Sequence, residues 1–399
     1  MNFYDAEKIL LDNINIINTE IISIDNAFNR ILAEDLIVDK NVPEFNRSPL
    51  DGYCFDYKST IGANENNPKI FDIIETVPCG SVALKKVEDN KTIKVLTGAK
   101  LPIGANAVIR YEDVEVENDK IKLYNELKEN ENVILIGEDV KKGEKLLDKG
   151  SVIDIGAIGI LASIGKKEVK VYKELNIGFI STGSEVVEVS DNIEDGKIYN
   201  SNKYIFDGIF KRNNLKYKYY GIVKDNIEDT KNILKKATNE CDIVISTGGV
   251  SVGDYDLVSN AINEIGFNIL IDRINMKPGM ACCIAKNNNK YIFALSGNPM
   301  SSVTTFYALC LPAIKKILGF KNFKNEYFKV ILKNSFNKKI KNLRFLRGKL
   351  SIEDGNAFFT LNLAQGNIVV KSLIDANAMI KVENVEVVKE GMKFDCMMI

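Results

Sequence analysis

The sequence contains no histidine and no tryptophan. Without histidine, the chain cannot carry a His-based catalytic triad, a histidine general base, or a zinc site of the HExxH or Cys₂His₂ type. Any proton transfer therefore falls to carboxylates, lysine, tyrosine, cysteine or water. The 7 cysteines are scattered, odd in number and never spaced as CxxC. This pattern favours reduced, mostly buried thiols over disulfides or a metal cluster.

The chain also lacks an excess of charge of either sign and any long hydrophobic run. Its 53 basic residues nearly balance its 54 acidic residues, which argues against a nucleic-acid groove or a membrane-surface protein. Apolar stretches such as residues 154–164 are too short to span a bilayer. The acidic first residues, MNFYDAEKILLDN, do not resemble a signal peptide. We therefore expect a soluble, cytoplasmic protein.

The length of 399 residues indicates several domains. Apolar spacing predicts helices over residues 4–14 and 24–36, whereas short β-branched runs predict an inserted β domain over residues 42–136. A helix over 155–164 and a strand over 168–172 follow. The sequence therefore predicts a mixed helical linker domain, formed by residues 1–41 plus 137–173, that is interrupted by the β domain.

Residues 174–322 alternate strands with helices. The predicted strands are 175–181, 216–223, 241–246 and 291–295, and the predicted helices are 202–210, 228–237, 257–265 and 301–318. Such alternation is typical of βαβ units and predicts a central α/β parallel-sheet domain with both faces covered. Residues 323–399 return to short strands, predicted at 329–332, 357–363, 367–371 and 378–382, which indicate a C-terminal small β-barrel or sandwich. The predicted fold class is multidomain α/β.

Three loops containing glycines and hydroxyl groups follow predicted strands of the α/β domain. Their sequences are STGSE at 181–185, STGGVSVGDYD at 246–256 and LSGNP at 295–299. Ligands bind outside the carboxyl ends of the strands in an open parallel sheet. Backbone N–H groups beside glycines and at helix N-termini can approach an anion there. The three loops together predict a phosphate or oxyanion pocket.

Carboxylates gather at the same edge, at Glu185, Asp225, Asp254 and Asp256. Acids beside a phosphate pocket suggest Mg²⁺, which takes one or two carboxylates plus substrate oxygens and keeps several waters. Asp225, at a strand–helix turn, could equally be a capping residue. Glu185 is less easily explained as a structural residue, because its loop also supplies Thr182 and Gly183.

Cations follow in the segment DRINMKPG, which contains Arg273 and Lys277. A lone lysine is usually a solvated surface residue. The Pro278–Gly279 turn beside Lys277 places this one where it could neutralise a phosphate or a tetrahedral oxyanion. Outside the α/β domain, RSPLDGY at 47–53 and TGAKLPIGANA at 97–107 carry polar residues without an obvious structural need.

Taken in this order, these segments resemble the MoeA family of molybdopterin molybdenumtransferases. The matching sequences are SPLDGY, TGAKLPIGANAVIRYED, GEDVKKGE, STGSE, IYNSN, STGGVSVGDYD, MKPG and LSGNP. STGGVSVGDYD alone would also suit the related adenylyltransferases that share the α/β fold. SPLDGY, TGAxLP and the inserted β domain single out the molybdenum-inserting branch.

The resemblance implies a reaction and an assembly. Adenylylated molybdopterin would bind in the α/β pocket with molybdate, and Mg²⁺-dependent cleavage would release AMP and yield molybdenum cofactor. The resemblance also implies a homodimer whose active cleft lies between the α/β domain of one chain and the inserted β domain of the other. A molybdopterin adenylyltransferase is a possible partner, and no nucleic acid or membrane is implied.

The resemblance implies roles for residues at the matched positions. It gives Asp51, Glu185, Asp225, Asp256 and Lys277 as catalytic, with Mg²⁺ held by the four acids. Arg347 is matched through the pattern Leu346-Arg-Gly. Together with the three loops, the substrate-binding candidates are Thr97, Asp139, Thr182, Gly183, Ser246, Gly248, Gly249, Ser251, Asp254, Arg273, Gly297, Asn298, Pro299 and Arg347. A pyrophosphate and an oxometalate need such cations and backbone donors, and a divalent ion needs the carboxylates.

The sequence departs from the family pattern at three places. Ile134–Ile136 stand where arginines often precede the GED segment, Ser296 replaces the usual proline of LPGNP, and Asn367 stands where serine is common. Two alternatives to the insertion reaction stay open. One is adenylyl transfer from ATP onto molybdopterin, and the other is a non-catalytic cofactor-binding or scaffold protein. Tungstate in place of molybdate would leave the same sequence signals.

Overall fold

The computed structural model describes residues 1–250, 257–362 and 364–399. These residues form two compact units. The first, which we call the core unit, comprises Met1–Ile21, Gly150–Val152 and Lys170–Ile399, and the second, the inserted unit, comprises Ile22–Lys149 and Ile153–Val169. Among the helices of the described residues, none combines the length and apolarity required to cross a membrane.

The helices are few and mostly short. The α-helices are α1 (Phe3–Asp12), α2 (Tyr57–Thr60), α3 (Ile155–Ser163), α4 (Ser201–Arg212), α5 (Ile227–Glu240), α6 (Leu257–Glu264), α7 (Pro299–Thr305) and α8 (Leu311–Ile317). A π-helical turn, Phe306–Cys310, joins α7 to α8. Short 3₁₀ helices cover Ile24–Asn26, Tyr111–Asp113 and Val370–Leu373.

The strands carry most of the architecture. They are β1 (Thr19–Ser23), β2 (Leu36–Ile37), β3 (Gly52–Phe55), β4 (Lys69–Val77), β5 (Lys91–Val95), β6 (Ala107–Arg110), β7 (Glu115–Glu117), β8 (Lys120–Leu123), β9 (Lys145–Leu147), β10 (Glu168–Tyr172), β11 (Ile177–Thr182), β12 (Val186–Val187), β13 (Ile198–Tyr199), β14 (Tyr217–Val223), β15 (Ile243–Thr247), β16 (Asn268–Asp272), β17 (Cys282–Asn287), β18 (Lys290–Leu295), β19 (Phe328–Leu332), β20 (Arg344–Glu353), β21 (Asn356–Leu361), β22 (Ala378–Val382) and β23 (Lys393–Met398).

The core unit is built on a six-stranded sheet in the order β14-β11-β15-β18-β17-β16. The first four strands are parallel, and β17 runs antiparallel to both of its neighbours. All residues of β11 and β15 are buried, as expected for parallel strands that helices cover on both faces. The predicted parallel sheet is therefore confirmed for these four strands, whereas β16 and β17 were not predicted.

The two faces of this sheet pack separate hydrophobic cores. Successive side chains of a strand point to opposite faces, and Phe179 and Ile180 accordingly belong to different clusters. Phe179 packs with Phe206 and Phe210 of α4 in a cluster that also includes Phe345 of β20. The shared cluster joins the sheet to the C-terminal strands of the same unit.

The C-terminal strands close into a barrel in the order β19-β21-β20-β22-β23. The predicted C-terminal barrel is thus confirmed. The predicted strand over 367–371 is wrong, because this segment forms a turn and enters the 3₁₀ helix Val370–Leu373. The barrel closes without this segment, and Ser372 N–H bonds within the turn, to the Val369 carbonyl at 3.0 Å.

The inserted unit contains a six-stranded sheet in the order β6-β3-β5-β4-β8-β7, which confirms the predicted β domain.

The helices predicted over 4–14 and 155–164 are found as α1 and α3. The helix predicted over 24–36 is wrong. Asn29 has a φ of 63°, which a right-handed helix does not allow, and Ile31, Leu32 and Ala33 are buried in succession rather than along one helical stripe.

Candidate active site

A cleft of about 1030 Å³ lies at the carboxyl ends of β11, β15 and β18. We call it the larger cleft. All three predicted loops contribute to its lining, together with the start of α4. Of the predicted site residues, it is lined by Thr182, Gly183, Glu185, Asp225, Gly248, Gly249, Gly297, Asn298 and Pro299. The structure therefore brings these residues together at the edge where an open α/β sheet binds its ligands.

Close packing around the second loop explains why it contains glycines. Gly248 has a φ of 100°, and a Cβ added there would lie 2.4 Å from the Thr182 carbonyl oxygen. A Cβ on Gly249 would lie 2.4 Å from a methyl carbon of Val258. A larger residue at either position would force its neighbours to shift. The Gly248 N–H also donates to the Leu295 carbonyl at 2.9 Å, which ties the second loop to the end of β18.

The carboxylate of Asp225, one of the two acids of the larger cleft among the described residues, is held by the STGSE loop. The Ser184 N–H donates to Asp225 Oδ2 at 2.9 Å, and the Asp225 N–H donates to Ser184 Oγ at 3.0 Å. The cap of α5 is the next residue, Asn226, whose side chain accepts from Glu228 N–H. Asp225 is therefore not the cap of that helix. Its carboxylate, like that of Glu185, is exposed at the cleft.

Asn202 is a cleft residue that sequence reasoning did not select. Its Nδ2 donates to the Gly297 carbonyl at 2.8 Å. Its Oδ1 is buried and has no hydrogen-bond partner among the described residues. Asn200 caps α4 and donates to Ser181 Oγ and Tyr219 Oη. The sequence held one indication that Asn202 has another role. A helix needs one cap residue, so the second asparagine of IYNSN is not required for capping.

The remaining candidates of the second loop occupy different positions. Ser246 is buried in β15, and its hydroxyl has no hydrogen-bond partner within the described part of the chain. Thr247, the next residue, lines the larger cleft. Ser251, Asp254 and Asp256 lie outside the described residues.

A second, smaller cleft of about 450 Å³ lies on the other side of the LSGNP loop. It shares Ser296 and Asn298 with the larger cleft. Its lining includes Lys277, Arg344 and Asn367, and no acidic residue is found among the described residues that line it. We call it the smaller cleft. Two cations without a carboxylate give it a lining of the kind that suits an anion.

Arg344 was not selected from the sequence, whereas Arg347 was. Arg347 is completely buried, with Nε donating to Ser372 Oγ at 3.0 Å and Nη2 donating to the Gly366 carbonyl at 3.2 Å. Burial and the nearby charge of Arg344 lower the pKa of Arg347 to about 10. The residue lines neither cleft. Arg273 is exposed and also lies outside the linings of both clefts.

In the inserted unit, the segments SPLDGY and TGAKLP form one structure. The Thr97 N–H and Oγ1 both donate to Asp51 Oδ1, at 2.7 and 2.8 Å. The main chains are also joined, because Ser48 N–H donates to the Ala99 carbonyl and Gly98 N–H donates to the Ser48 carbonyl. The hydrogen bonds from Thr97 hold the pKa of the Asp51 carboxyl below its usual value. Asp139 is exposed in the same unit.

The carboxylates of the core unit suit one kind of metal. Within the described ranges there is no group of three or more histidine, cysteine, aspartate or glutamate side chains that could hold a metal ion. Glu185 and Asp225 are the acids lining the larger cleft among those residues. Two carboxylates supplemented by water and substrate oxygens fit Mg²⁺, and they do not fit the closed nitrogen and sulfur sites of zinc.

Comparisons with known proteins support one family. Three family descriptions match the chain: the MoeA N-terminal region (domain I and II) over residues 1–165, a probable molybdopterin binding domain over 178–316, and the MoeA C-terminal region (domain IV) over 329–399. The molybdopterin molybdenumtransferase of Staphylococcus epidermidis is 34% identical over 374 residues, which cover 94% of this chain and 89% of that protein. The chain belongs to the MoeA family of molybdopterin molybdenumtransferases.

Other members give the same assignment. The enzyme of Staphylococcus aureus strain Mu50 is 34% identical over 359 residues, covering 90% of this chain and 86% of its own. Two crystal structures of molybdopterin biosynthesis MoeA proteins from Pyrococcus horikoshii have TM-scores of 0.87 and 0.84, at 28% and 32% identity. They cover the whole of this chain, and it covers 98% and 100% of them. The chain is thus a transferase of molybdenum cofactor biosynthesis with the MoeA fold.

The two cations of the smaller cleft lie in two different regions of the family. Lys277 and the LSGNP loop lie within the probable molybdopterin binding domain, whereas Arg344 and Asn367 lie within the MoeA C-terminal region. The smaller cleft is therefore built from two family domains of the core unit. The α/β domain alone would supply only one of its cations.

Proposed function

We propose that this enzyme inserts molybdate into adenylylated molybdopterin, with Mg²⁺-dependent release of AMP, and so produces molybdenum cofactor. The observation that carries the proposal is the pair of adjoining clefts in the core unit. One contains two carboxylates and the backbone of glycine-rich loops, and the other contains two cations without a carboxylate. The pairing suits a large phosphate ester beside a small oxyanion.

The larger cleft is proposed to bind the adenylylated pterin. Its volume of about 1030 Å³ is of the size that holds a bulky organic ligand. Gly183, Gly248 and Gly249 have no side chain, so the pyrophosphate could approach the backbone of their loops closely. Asn202 Oδ1, which is buried without a partner in the described structure, would accept a hydrogen bond from a donor on the ligand.

Glu185 and Asp225 are the residues proposed to hold Mg²⁺ in the core unit. Bound there, the ion would stabilise charge on the pyrophosphate oxygens as the bond to AMP breaks. The carboxylates themselves set where the ion and the pyrophosphate meet. Asp51 and Thr97 of the inserted unit are proposed as further participants, since Thr97 holds the Asp51 carboxylate ionised. Asp256 and Asp139 stay proposed on the family resemblance.

The smaller cleft is proposed to bind molybdate. Lys277 and Arg344 supply two positive charges for a dianion. Asn367 and Ser296 add neutral polar groups to the same lining. Ser296 and Asn298 line both clefts, so the oxyanion would lie directly beside the pterin ligand, as transfer between them requires.

The two alternative functions are less well supported. A stand-alone adenylyltransferase would need only the α/β domain, whereas the MoeA N-terminal and C-terminal regions match the rest of this chain. A scaffold protein without catalytic activity would not need acidic residues in its cleft. In this chain, Glu185 and Asp225 are both present in the lining of the larger cleft. We further propose that the enzyme is a homodimer and receives its substrate from a molybdopterin adenylyltransferase.

A single-turnover assay tests the proposal. The full-length protein is mixed with adenylylated molybdopterin and Mg²⁺, with and without molybdate, and AMP and metal-loaded cofactor are measured together. We expect AMP release that depends on molybdate and matches cofactor formation. Tight binding without cleavage would support the scaffold, and turnover of ATP with free molybdopterin would support the adenylyltransferase. Tungstate in a parallel reaction shows whether the enzyme distinguishes the two oxyanions.

A further inference from the structure

A side-chain amide extends the main-chain pairing at one position of the barrel. The pairing between β20 and β21 ends at Gly348 and Leu361, and just beyond it the Asn362 N–H still donates to the Arg347 carbonyl at 3.1 Å. Gln365 adds a side-chain bridge to the same residue: its Oε1 accepts from Arg347 N–H at 3.1 Å, and its Nε2 donates to the Arg347 carbonyl at 2.8 Å. The same Nε2 donates to the Asn362 carbonyl at 2.6 Å.

The side chain of Arg347 also binds the segment that contains Gln365. Its guanidinium donates to the Gly366 carbonyl and to Ser372 Oγ. Gln365 and Ser372 are both more than nine-tenths buried, and Arg347 is completely buried. Residues 364–373, which we call the barrel loop, are therefore fixed to β20 by buried hydrogen bonds near each of their ends.

The barrel loop forms part of the wall of both clefts. Asn367 lines the smaller cleft, and Ile368 and Val370 line the larger one. The Asn367 carbonyl also accepts from Met300 N–H at 3.0 Å, at the start of α7. This bond ties the barrel loop to the LSGNP loop that separates the clefts. Gln365 itself lines neither cleft.

We propose that Gln365 is a positioning residue for the transferase reaction, which acts by fixing the barrel loop so that Asn367 faces the oxyanion and Ile368 and Val370 border the pterin ligand. This inference rests on the proposed function of the two clefts. Removing the amide of Gln365 would loosen the attachment of the loop to β20 and leave only the bonds of the Arg347 guanidinium. A displacement of about 1 Å in a substrate-positioning group can lower a rate roughly 100-fold.

Asn334 offers a matched control within the same barrel. Its Oδ1 accepts from Leu361 N–H at 2.7 Å, and its Nδ2 donates to the Leu361 carbonyl at 2.9 Å. The amide thus makes the same bridge to one strand residue as Gln365 does, and neither Asn334 nor Leu361 lines either cleft. Loss of this bridge should affect folding without reaching the clefts.

The test compares Gln365→Met with Asn334→Leu in the full chain. Hydrogen exchange is measured by mass spectrometry on peptides covering residues 298–303 and 364–373, and the KM for molybdate is measured in the AMP-release assay. We expect similar losses of thermal stability in both variants. In Gln365→Met alone, both peptides should exchange faster and the KM for molybdate should rise at least about tenfold.

Equal exchange in these peptides for the two variants would overturn the inference, as would faster exchange without a change in KM. Gln365→Glu keeps an acceptor for Arg347 N–H and serves if Gln365→Met does not fold; an unchanged KM in it together with unchanged exchange would again overturn the inference. If the wild-type enzyme releases no AMP, the proposed function fails, and hydrogen exchange still decides whether Gln365 fixes the barrel loop.

Discussion

The main chain of Lys277 is paired with the main chain around Arg344. Lys277 N–H donates to the Leu343 carbonyl at 3.0 Å, and Phe345 N–H donates to the Lys277 carbonyl at 2.9 Å. The two residues form a parallel β-bridge and both line the smaller cleft. Because the backbone bonds hold the two residues side by side, an anion bound in the smaller cleft would relieve repulsion between their charges.

Neutralising Lys277 should weaken the binding of molybdate more than it weakens the fold. Lys277 is exposed, so Lys277→Gln should change the free energy of unfolding by less than about 0.5 kcal/mol. A charge-assisted hydrogen bond contributes about 1.5–3 kcal/mol, so the KM for molybdate should rise roughly 10- to 100-fold. Lys349→Gln, at an exposed position of β20 outside both cleft linings, is the control. A large fall in Tm with unchanged KM would return Lys277 to a structural role.

Removing either carboxylate of the larger cleft should stop AMP release while the protein stays folded. Glu185→Gln and Asp225→Asn should each lower the single-turnover rate at least about 100-fold, because the charge that a bound metal stabilises is worth several kcal/mol. Higher Mg²⁺ concentration should restore part of the lost rate. Glu194→Gln, at an exposed position between β12 and β13, provides the control. Full activity in both cleft variants would show that these acids do not hold the metal.

Asn202 should contribute to the binding of adenylylated molybdopterin in the larger cleft. Asn202→Asp keeps the shape but removes the donor to the Gly297 carbonyl and places a negative charge beside a pyrophosphate. The Kd for adenylylated molybdopterin should rise at least about tenfold, since one lost hydrogen bond and one like charge each contribute about 1 kcal/mol. The control is Asn213→Asp at the other end of α4, where the side chain donates to the Ile209 carbonyl. An unchanged Kd in Asn202→Asp would remove this residue from the site.

The ionisation of Asp51 should depend on the hydroxyl of Thr97. Hydrogen bonds to the ionised carboxylate lower its pKa in the folded protein, so their contribution to stability is complete above pH about 4 and is lost as the pH falls through the lowered pKa. Thr97→Val keeps the N–H but removes the hydroxyl, and the pKa of Asp51 should move up toward its ordinary value. Carbon-detected NMR titration measures this pKa, with Thr76→Val at an exposed position of β4 as control. No shift would show that the backbone bond alone holds Asp51.

The sequence predicted those parts of the fold that local pattern determines. The buried strands β11 and β15 are continuous apolar runs ending in glycine-containing loops, so the edge that carries Thr182, Glu185 and Gly248 could be inferred. By contrast, the helical spacing of residues 24–36 gave a wrong prediction, because one left-handed residue, Asn29, redirects a chain whose apolar side chains are buried by tertiary contacts.

The remainder of the site depends on contacts between residues distant in sequence. Arg344 and Arg347 stand three positions apart on one strand, and only the pairing of Lys277 with Arg344 decides which of them faces the smaller cleft. The barrel loop likewise reads as a strand, since Ile368 and its neighbours are apolar. Its conformation follows from the hydrogen bonds of Arg347 and Gln365, which no local pattern encodes.

The location of a bound oxyanion distinguishes the roles of the two clefts. Tungstate has the charge and shape of molybdate, and its metal gives a strong anomalous signal in diffraction from crystals of the full-length protein soaked with it. We expect the strongest tungsten peak in the smaller cleft, with the tungstate oxygens in hydrogen-bond contact with the Lys277 ammonium and the Arg344 guanidinium. If the strongest peak lay in the larger cleft against the backbone of Gly248, and the smaller cleft were empty, the proposed binding of molybdate and the pterin ligand in separate clefts would be contradicted.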